Sequence, residues 1–446
     1  MFTVAIVLLL AAPIALAEEI RIATFNVDAT PAVGTPVAYA PVREILDPLS
    51  ARGIVLLGAD KPVVLCAVDW IGIGNAGYDA WRNKLAQAAG TTPDHVAVHT
   101  LHQHDGARCD FTTEQLLAQR GLGGKHFDNG FLQKTIDGVV AAIGESLKNP
   151  QPFTHIGVGK AKVEKVASNR RLLGPDGNVK IIRWSKSTNP EAIAAPEGVI
   201  DPYLRLISFW NEETPIASLT YYATHPQSYY GDGDVTSEFV GLARAAREKA
   251  APEIAHIHFN GASGNVAAGK YNDGSHGLRP ILASRMERGM REAWESTTKR
   301  PIAASDIEWR VEPVRLPAAA HLDEANLNAL IDDKKTPGPT RLNSASHLAW
   351  LKRNQSGLTI DTSCLRLGDV YIVHMPGELF IEYQLASQAM RADDTVCMAA
   401  YGDYGPGYIG TEIAYGQGGY ETSDRASRVA PQVEGMLTRA LQSLLK

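Results

Sequence analysis

The sequence predicts an α/β fold, a single large unit of mixed β-sheets flanked by helices, on three observations. Strand-like and helix-like apolar periods alternate along the chain. One β-α-β unit and two hairpins are recognisable, which mixes parallel with antiparallel pairing. No long linker, internal repeat or low-complexity tract divides the chain. The 446 residues are 45% hydrophobic, enough to bury a large core. There are 43 Lys and Arg against 49 Asp and Glu, a formal charge of −6, and no basic block interleaved with aromatics, which argues against nucleic acid as a partner.

In chain order, residues 1–17, MFTVAIVLLLAAPIALA, come first; they are apolar throughout and close on Ala15-Leu16-Ala17 before Glu18-Glu19. An apolar run ending in A-x-A and too short to span a membrane reads as a secretory signal peptide cleaved after Ala17. The protein is then exported, periplasmic or secreted, with residues 18–446 as one domain. The run lacks Lys and Arg at its start, so a misassigned start or an uncleaved anchor is the competing reading. No later segment reaches membrane-spanning length.

Residues 62–105 read as the β-α-β unit: a strand from Pro62 to Val68, a helix over Tyr78–Gly90, and a second strand over His95–His104. Asn129–Leu147 is an amphipathic helix. Leu204–Trp210 and Ile216–His225 form a hairpin, Ser237 opens a helix to Ala250, and Ile254–Phe259 is a strand entering the Gly-rich loop 260–277. Leu278–Ser296 is helical, 316–345 is a surface insertion, and Cys364–Leu367 with Val370–His374 makes the second hairpin. A helix follows from Phe380, then a strand over Thr395–Ala400, a Gly/Tyr-rich loop over 402–420 and a closing helix over 424–446. Cys66, Cys109, Cys364 and Cys397 match no metal spacing; in an exported chain they permit a disulfide, while Cys66, Cys364 and Cys397, inside strand-like runs, read equally well as buried thiols.

The sharpest chemical signal is Leu101-His102-Gln103-His104-Asp105-Gly106. Residues i and i+2 of a strand face the same way, so His102 and His104 can converge on one ion or reacting group. The bland reading is two histidines at a strand end. His99 has the opposite parity and reads as packing. His225 ends a strand in Ala223-Thr224-His225-Pro226, and Glu378 follows the corner Pro376-Gly377. Alone, the first is a core histidine and the second a helix-start carboxylate. Together, imidazoles and a carboxylate are what a catalytic zinc site uses. Tyr401, Tyr404, Tyr408, Tyr415 and Tyr420 on the Gly-rich loop either cover an apolar edge or supply phenols as ligand, proton donor or pocket wall.

The order of these pieces resembles the neutral/alkaline non-lysosomal ceramidase family, zinc-dependent amidases of the sphingolipid N-acyl bond. That family carries a THTHSG strand end, an NRSP segment, a later histidine before an SGDN-type helix start, a GDVSPN loop, a PGE corner and a YVTT...YE loop. Here the counterparts are Leu101–Gly106, Ser168-Asn169-Arg170-Arg171, His225 with Ser237-Glu238-Phe239, Gly264–Gly269, Pro376-Gly377-Glu378 and Tyr408–Thr411 with Tyr420-Glu421. The resemblance implies a ceramidase-like catalytic domain over 18–446, without the C-terminal β-sandwich of longer members. It further implies His102, His225, Glu378 and Tyr408 as zinc ligands, His104 as a group beside the metal or an acid/base, Arg170 as a substrate-orienting cation and Tyr420 as a donor to the scissile carbonyl.

Two departures matter. The position of the family's catalytic serine is Ala267, with Ser263 four residues earlier, and the polar loop Gly269–Gly274 would line the pocket. Both imply a small-molecule substrate more polar than ceramide, attacked by metal-activated water in an exported zinc-dependent hydrolase of amide-like C–N bonds. The competing readings are a metal-dependent esterase, lyase or epimerase on a polyhydroxylated substrate, and a catalytically inactive binding protein.

Overall fold

The computed structural model describes residues 19–58 and 60–446; the segment read as a signal peptide, 1–17, lies outside the described residues. The β-α-β unit is present. Val63–Val68 leads into the helix Asn75–Ala89, closed by Gly90 in the left-handed conformation (φ 67°), and Val96–Thr100 returns parallel to the first strand. Two more strands, Ser50–Leu57 and Arg21–Asp28, extend this sheet antiparallel on its other side. Ser50–Leu57 is buried over nearly its whole length, so no polar alternation marks it in the sequence. Alternate residues of Val63–Val68 enter two different cores: Val64, Cys66 and Val68 pack against the helices, and Val63, Leu65 and Ala67 against a second sheet.

That second sheet carries the first predicted hairpin, Tyr203–Asn211 with Thr214–Tyr222, and adds Ala255–Asn260 parallel at one edge. A third sheet carries the second hairpin, Ile360–Leu367 with Val370–His374, flanked by Ile307–Val314 and by Thr395–Ala399 in parallel. Each sheet therefore ends on a parallel pair. The outer strands of these pairs meet tip to tip: Thr100 donates its N–H to the Tyr401 carbonyl, and Ala400 donates to that of Asn260, both at 3.0 Å. The carboxyl ends of strands from three sheets thus open onto one place, where α/β folds put their chemistry.

Several sequence expectations change. The strand expected over His95–His104 stops at Thr100, and the closing helix runs only over Val433–Leu444, after Pro431. Ser237 precedes the helix Glu238–Ala250, but its hydroxyl donates to Asp47 rather than capping the helix. The stretch 316–345 is not a surface insertion. It contains the helix Glu324–Asp332 and the start of Gly338–Gln355, with Leu327, Ile331 and Ala345 buried in the core. All four cysteines are buried free thiols, so no disulfide forms.

Candidate metal centre

His102 lies just past the strand end, with its backbone in the left-handed region (φ 67°). The expectation that His102 and His104 share a strand face is therefore wrong in mechanism; a turn brings them together, with the imidazole Nε2 atoms 3.3 Å apart. His225 follows Thr214–Tyr222 and is tied to the loop below by its N–H on the Val266 carbonyl. Glu378 is not a helix-start carboxylate: Glu378–Leu379 is a two-residue strand parallel to Tyr408–Ile409, in a register that sets Glu378 opposite Tyr408. Gly377 makes this approach possible. It has a positive φ of 62°, and a Cβ there would lie 2.6 Å from the Gly407 carbonyl oxygen.

The side chains converge. His102 Nε2 is 3.2 Å and His225 Nε2 is 3.1 Å from the same oxygen, Oε2 of Glu378, and the Tyr408 hydroxyl is 3.3 Å from His225 Nε2. Each of these imidazoles gives its Nδ1–H to a backbone carbonyl at 2.6 Å, His102 to Ile71 and His225 to Ser263. A carbonyl only accepts, so the proton sits on Nδ1 and Nε2 is left to face the carboxylate. Burial lowers the affinity of His225 for a second proton, although the hydrogen bond to Glu378 opposes it. Burial alone would raise the Glu378 carboxyl, and only a positive charge beside it, on the imidazoles or between them, holds it well below the ordinary range. Two lone pairs and an anionic oxygen thus point at one buried spot, an arrangement satisfied by a shared cation. Nitrogen, carboxylate and phenol donors suit zinc chemically.

His104 differs. The Gln227 amide donates to its Nδ1 at 3.0 Å, which places the ring proton on Nε2, toward the centre. The Tyr39 hydroxyl is also 3.0 Å from that Nδ1, with the two rings stacked 5.5 Å apart. Burial keeps this imidazole neutral. Judged by proximity alone, His102, His104 and His225 form a possible ligand triad; the opposite tautomer sets His104 apart from the other two.

Arg170 donates to the Tyr408 hydroxyl at 3.0 Å and is held from behind by Glu421, also at 3.0 Å. Tyr420 packs edge-on to Tyr408, with ring centroids 5.7 Å apart. All the sequence-predicted residues therefore gather here, and Tyr404 joins them, its hydroxyl donating to Glu378 Oε1 at 2.6 Å. Tyr404 was named in the sequence only as one of several loop phenols. Tyr39 and Gln227 carried no signal, because only the fold brings them within reach of His104. Ala267 is fully buried, and Ser263 turns its hydroxyl to Tyr401 at 2.7 Å. The site opens into a cavity of about 400 Å³ lined by His102, His104, Glu378, Tyr404, Tyr408 and Tyr420. The loop Gly269–Gly274 does not line it, contrary to expectation: Lys270 and Asn272 are spent on backbone carbonyls of 185–195 and 228.

Fold and site together define a class: a mixed α/β protein with two imidazoles, a carboxylate and a phenol gathered where three sheets meet. Among solved structures, the fold is that of neutral ceramidase. A crystal structure of neutral ceramidase from Pseudomonas aeruginosa matches with a TM-score of 0.70 over 96% of this chain and 74% of that one, at 15% identity. A ceramidase complexed with C2 matches with a TM-score of 0.69 over 96% and 75%, also at 15% identity. No known protein-family profile matches the chain, and neither does any curated protein sequence.

Proposed function

We propose that the protein is an exported, zinc-dependent hydrolase of amide-like C–N bonds, with residues 18–446 as its catalytic domain. The observation that carries this is the pair of Nδ1-anchored imidazoles whose Nε2 atoms meet one oxygen of Glu378. His102, His225, Glu378 and Tyr408 would hold the metal. A zinc ion held there supplies Lewis acidity, polarising a carbonyl and making water acidic enough to attack near neutral pH. Arg170, fixed by Glu421, and the half-buried Tyr420 orient the substrate carbonyl and donate to its oxygen as negative charge develops. His104 presents its Nε2–H at the cavity wall, where it can hydrogen-bond the developing negative charge, while the proton that the departing nitrogen gains is the one the attacking water releases. Attack falls to water because Ala267 offers no nucleophile and Ser263 is engaged by Tyr401. Export rests on the apolar run ending in Ala15-Leu16-Ala17.

The test combines elemental analysis with an amide-hydrolysis screen. About one zinc per chain is expected, with activity lost on chelation and restored by zinc. His225→Ala should lose the metal; full zinc stoichiometry in that variant would sink the ligand assignment.

A further inference from the structure

The cavity above the metal centre is cationic. Arg108, Lys125, Arg425 and Arg428 line it, and Glu378, the one lining carboxylate among the described residues, is engaged by His102, His225 and Tyr404. Buried arginines elsewhere in the fold are neutralised: Arg170 by Glu421, Arg244 by Asp69 and Arg279 by Glu238. Arg183, which has no carboxylate, instead spreads its guanidinium over the carbonyls of Asn169, Ala192, Ala195, Pro196 and Glu197.

Half-buried Arg108, which lies over the Tyr39 ring, and buried Arg428 have neither solution. Arg428 puts Nη1 on the Tyr404 and Gly405 carbonyls, at 3.3 and 2.7 Å, and Arg108 puts Nη2 on the Ala38 carbonyl at 3.2 Å. The Nε of each is buried with no hydrogen-bond partner among the described residues. Asp110 feels the charge of Arg428, but its oxygens are taken by Thr113 and Asn75. A guanidinium left without a carboxylate in a partly buried wall costs free energy that an anion would recover. Burial indeed lowers the affinity of Arg428 for its proton, and the charge of Arg108 adds to that. Tyr404 spans the distance to the metal centre, with its carbonyl on Arg428 and its hydroxyl on Glu378.

We propose that the substrate of this site carries an oxyanion, a carboxylate or a phosphate, bound by Arg108 and Arg428 while its amide-like bond lies at the His102–His225–Glu378 centre. The position of the amide rests on the hydrolase reading above; the anion rests on the cavity's own unpaired cations. A planar guanidinium binds either oxyanion through paired N–H groups. Exposed Lys125 and Arg425 at the rim raise the local concentration of such substrates.

Three probes with one shared amide decide it: N-benzoylglycine, N-benzoyl-O-phosphoethanolamine and the neutral N-(2-hydroxyethyl)benzamide, given to the zinc-loaded protein. At least one anionic probe should exceed the neutral one in kcat/KM by about tenfold or more, and the two anions distinguish carboxylate from phosphate. Arg108→Gln should cut that ratio by about tenfold, and Arg108→Lys should keep most of it. Equal or faster turnover of the neutral amide, or an unchanged ratio in Arg108→Gln, would overturn the proposal. If no probe is cleaved, the hydrolase reading fails on its own, and calorimetric binding of the same compounds still decides the anion site. An anion preference that Arg108→Gln abolishes supports it; one that persists shows direct binding to the metal and overturns it.

Discussion

At the scale of single residues, Tyr404 is the most informative contact. Its hydroxyl hydrogen-bonds the Glu378 oxygen that does not face the imidazoles, and so fixes how the carboxylate presents Oε2. Groups of this kind, hydrogen-bonded to a metal ligand, commonly change metal affinity by about 10- to 100-fold. Tyr404→Phe should weaken zinc binding by that order while leaving the thermal unfolding midpoint of the metal-free protein nearly unchanged. A competition titration against a chelator measures the first and calorimetry the second. Unaltered zinc affinity would mean that the hydrogen bond does not position the ligand. The residues of the centre were legible in the sequence through their order, which resembles that of the ceramidase family; alone, each has an ordinary structural use. Tyr39 and Gln227 were not: each is an ordinary polar residue whose meaning comes from contact with His104 across a long stretch of chain.

At the scale of elements, the shortest strands matter most. The two-residue pair Glu378–Leu379 and Tyr408–Ile409 sets two of the proposed ligands side by side, and Gly377 permits it through its positive φ. A side chain at position 377 would strain the backbone and push against the Gly407 carbonyl, at a cost of about 1–3 kcal/mol. Gly377→Ala should therefore lower both stability and zinc affinity; a variant with lower stability and wild-type affinity would show that the register is not what holds Glu378 against Tyr408. Strands of two residues have no period to read, so sequence reasoning found the Pro-Gly-Glu corner without its pairing. The same limit explains His102. Its i and i+2 spacing with His104 suggested a strand, whereas the chain had already turned through a left-handed residue that sequence does not mark. The long helices and both hairpins were legible because their apolar periods persist for many residues. The segment 316–345 was misread because its Ala, Asp and Lys content resembles a surface loop, while the few apolar residues that bury it, Leu327 and Ile331 among them, are spaced one helical turn apart.

At the scale of the molecule, the site exists because three sheets place the carboxyl ends of parallel strands at one point, a convergence of distant segments that no local pattern encodes. The interior that holds these ends together also contains neutral histidines. His258 is buried, with its Nδ1 2.9 Å from the Thr220 hydroxyl, and burial lowers its pKa to about 3. In the unfolded chain the same group titrates near 6.5. Its folded pKa is therefore the depressed one. Above about pH 6.5 it is neutral in both states and costs nothing; as the pH falls toward 3, the unfolded chain takes up a proton that the folded chain refuses. Relative to His258→Gln, the wild-type protein should lose stability by on the order of 1 kcal/mol per pH unit below about 6.5. Denaturant melts of the two proteins at a series of pH values measure this, and a constant difference between them would contradict the neutral buried state.

The proposed metal site uses His102, His225, Glu378 and Tyr408 and not His104, whose ring turns a proton toward the centre. The most direct test is the zinc content per chain of His102→Ala and His104→Ala, purified and dialysed side by side. The arrangement predicts that His104→Ala keeps close to one zinc while His102→Ala loses it. Loss of zinc in both variants would make His104 a ligand after all, and retention in both would remove the metal from this centre.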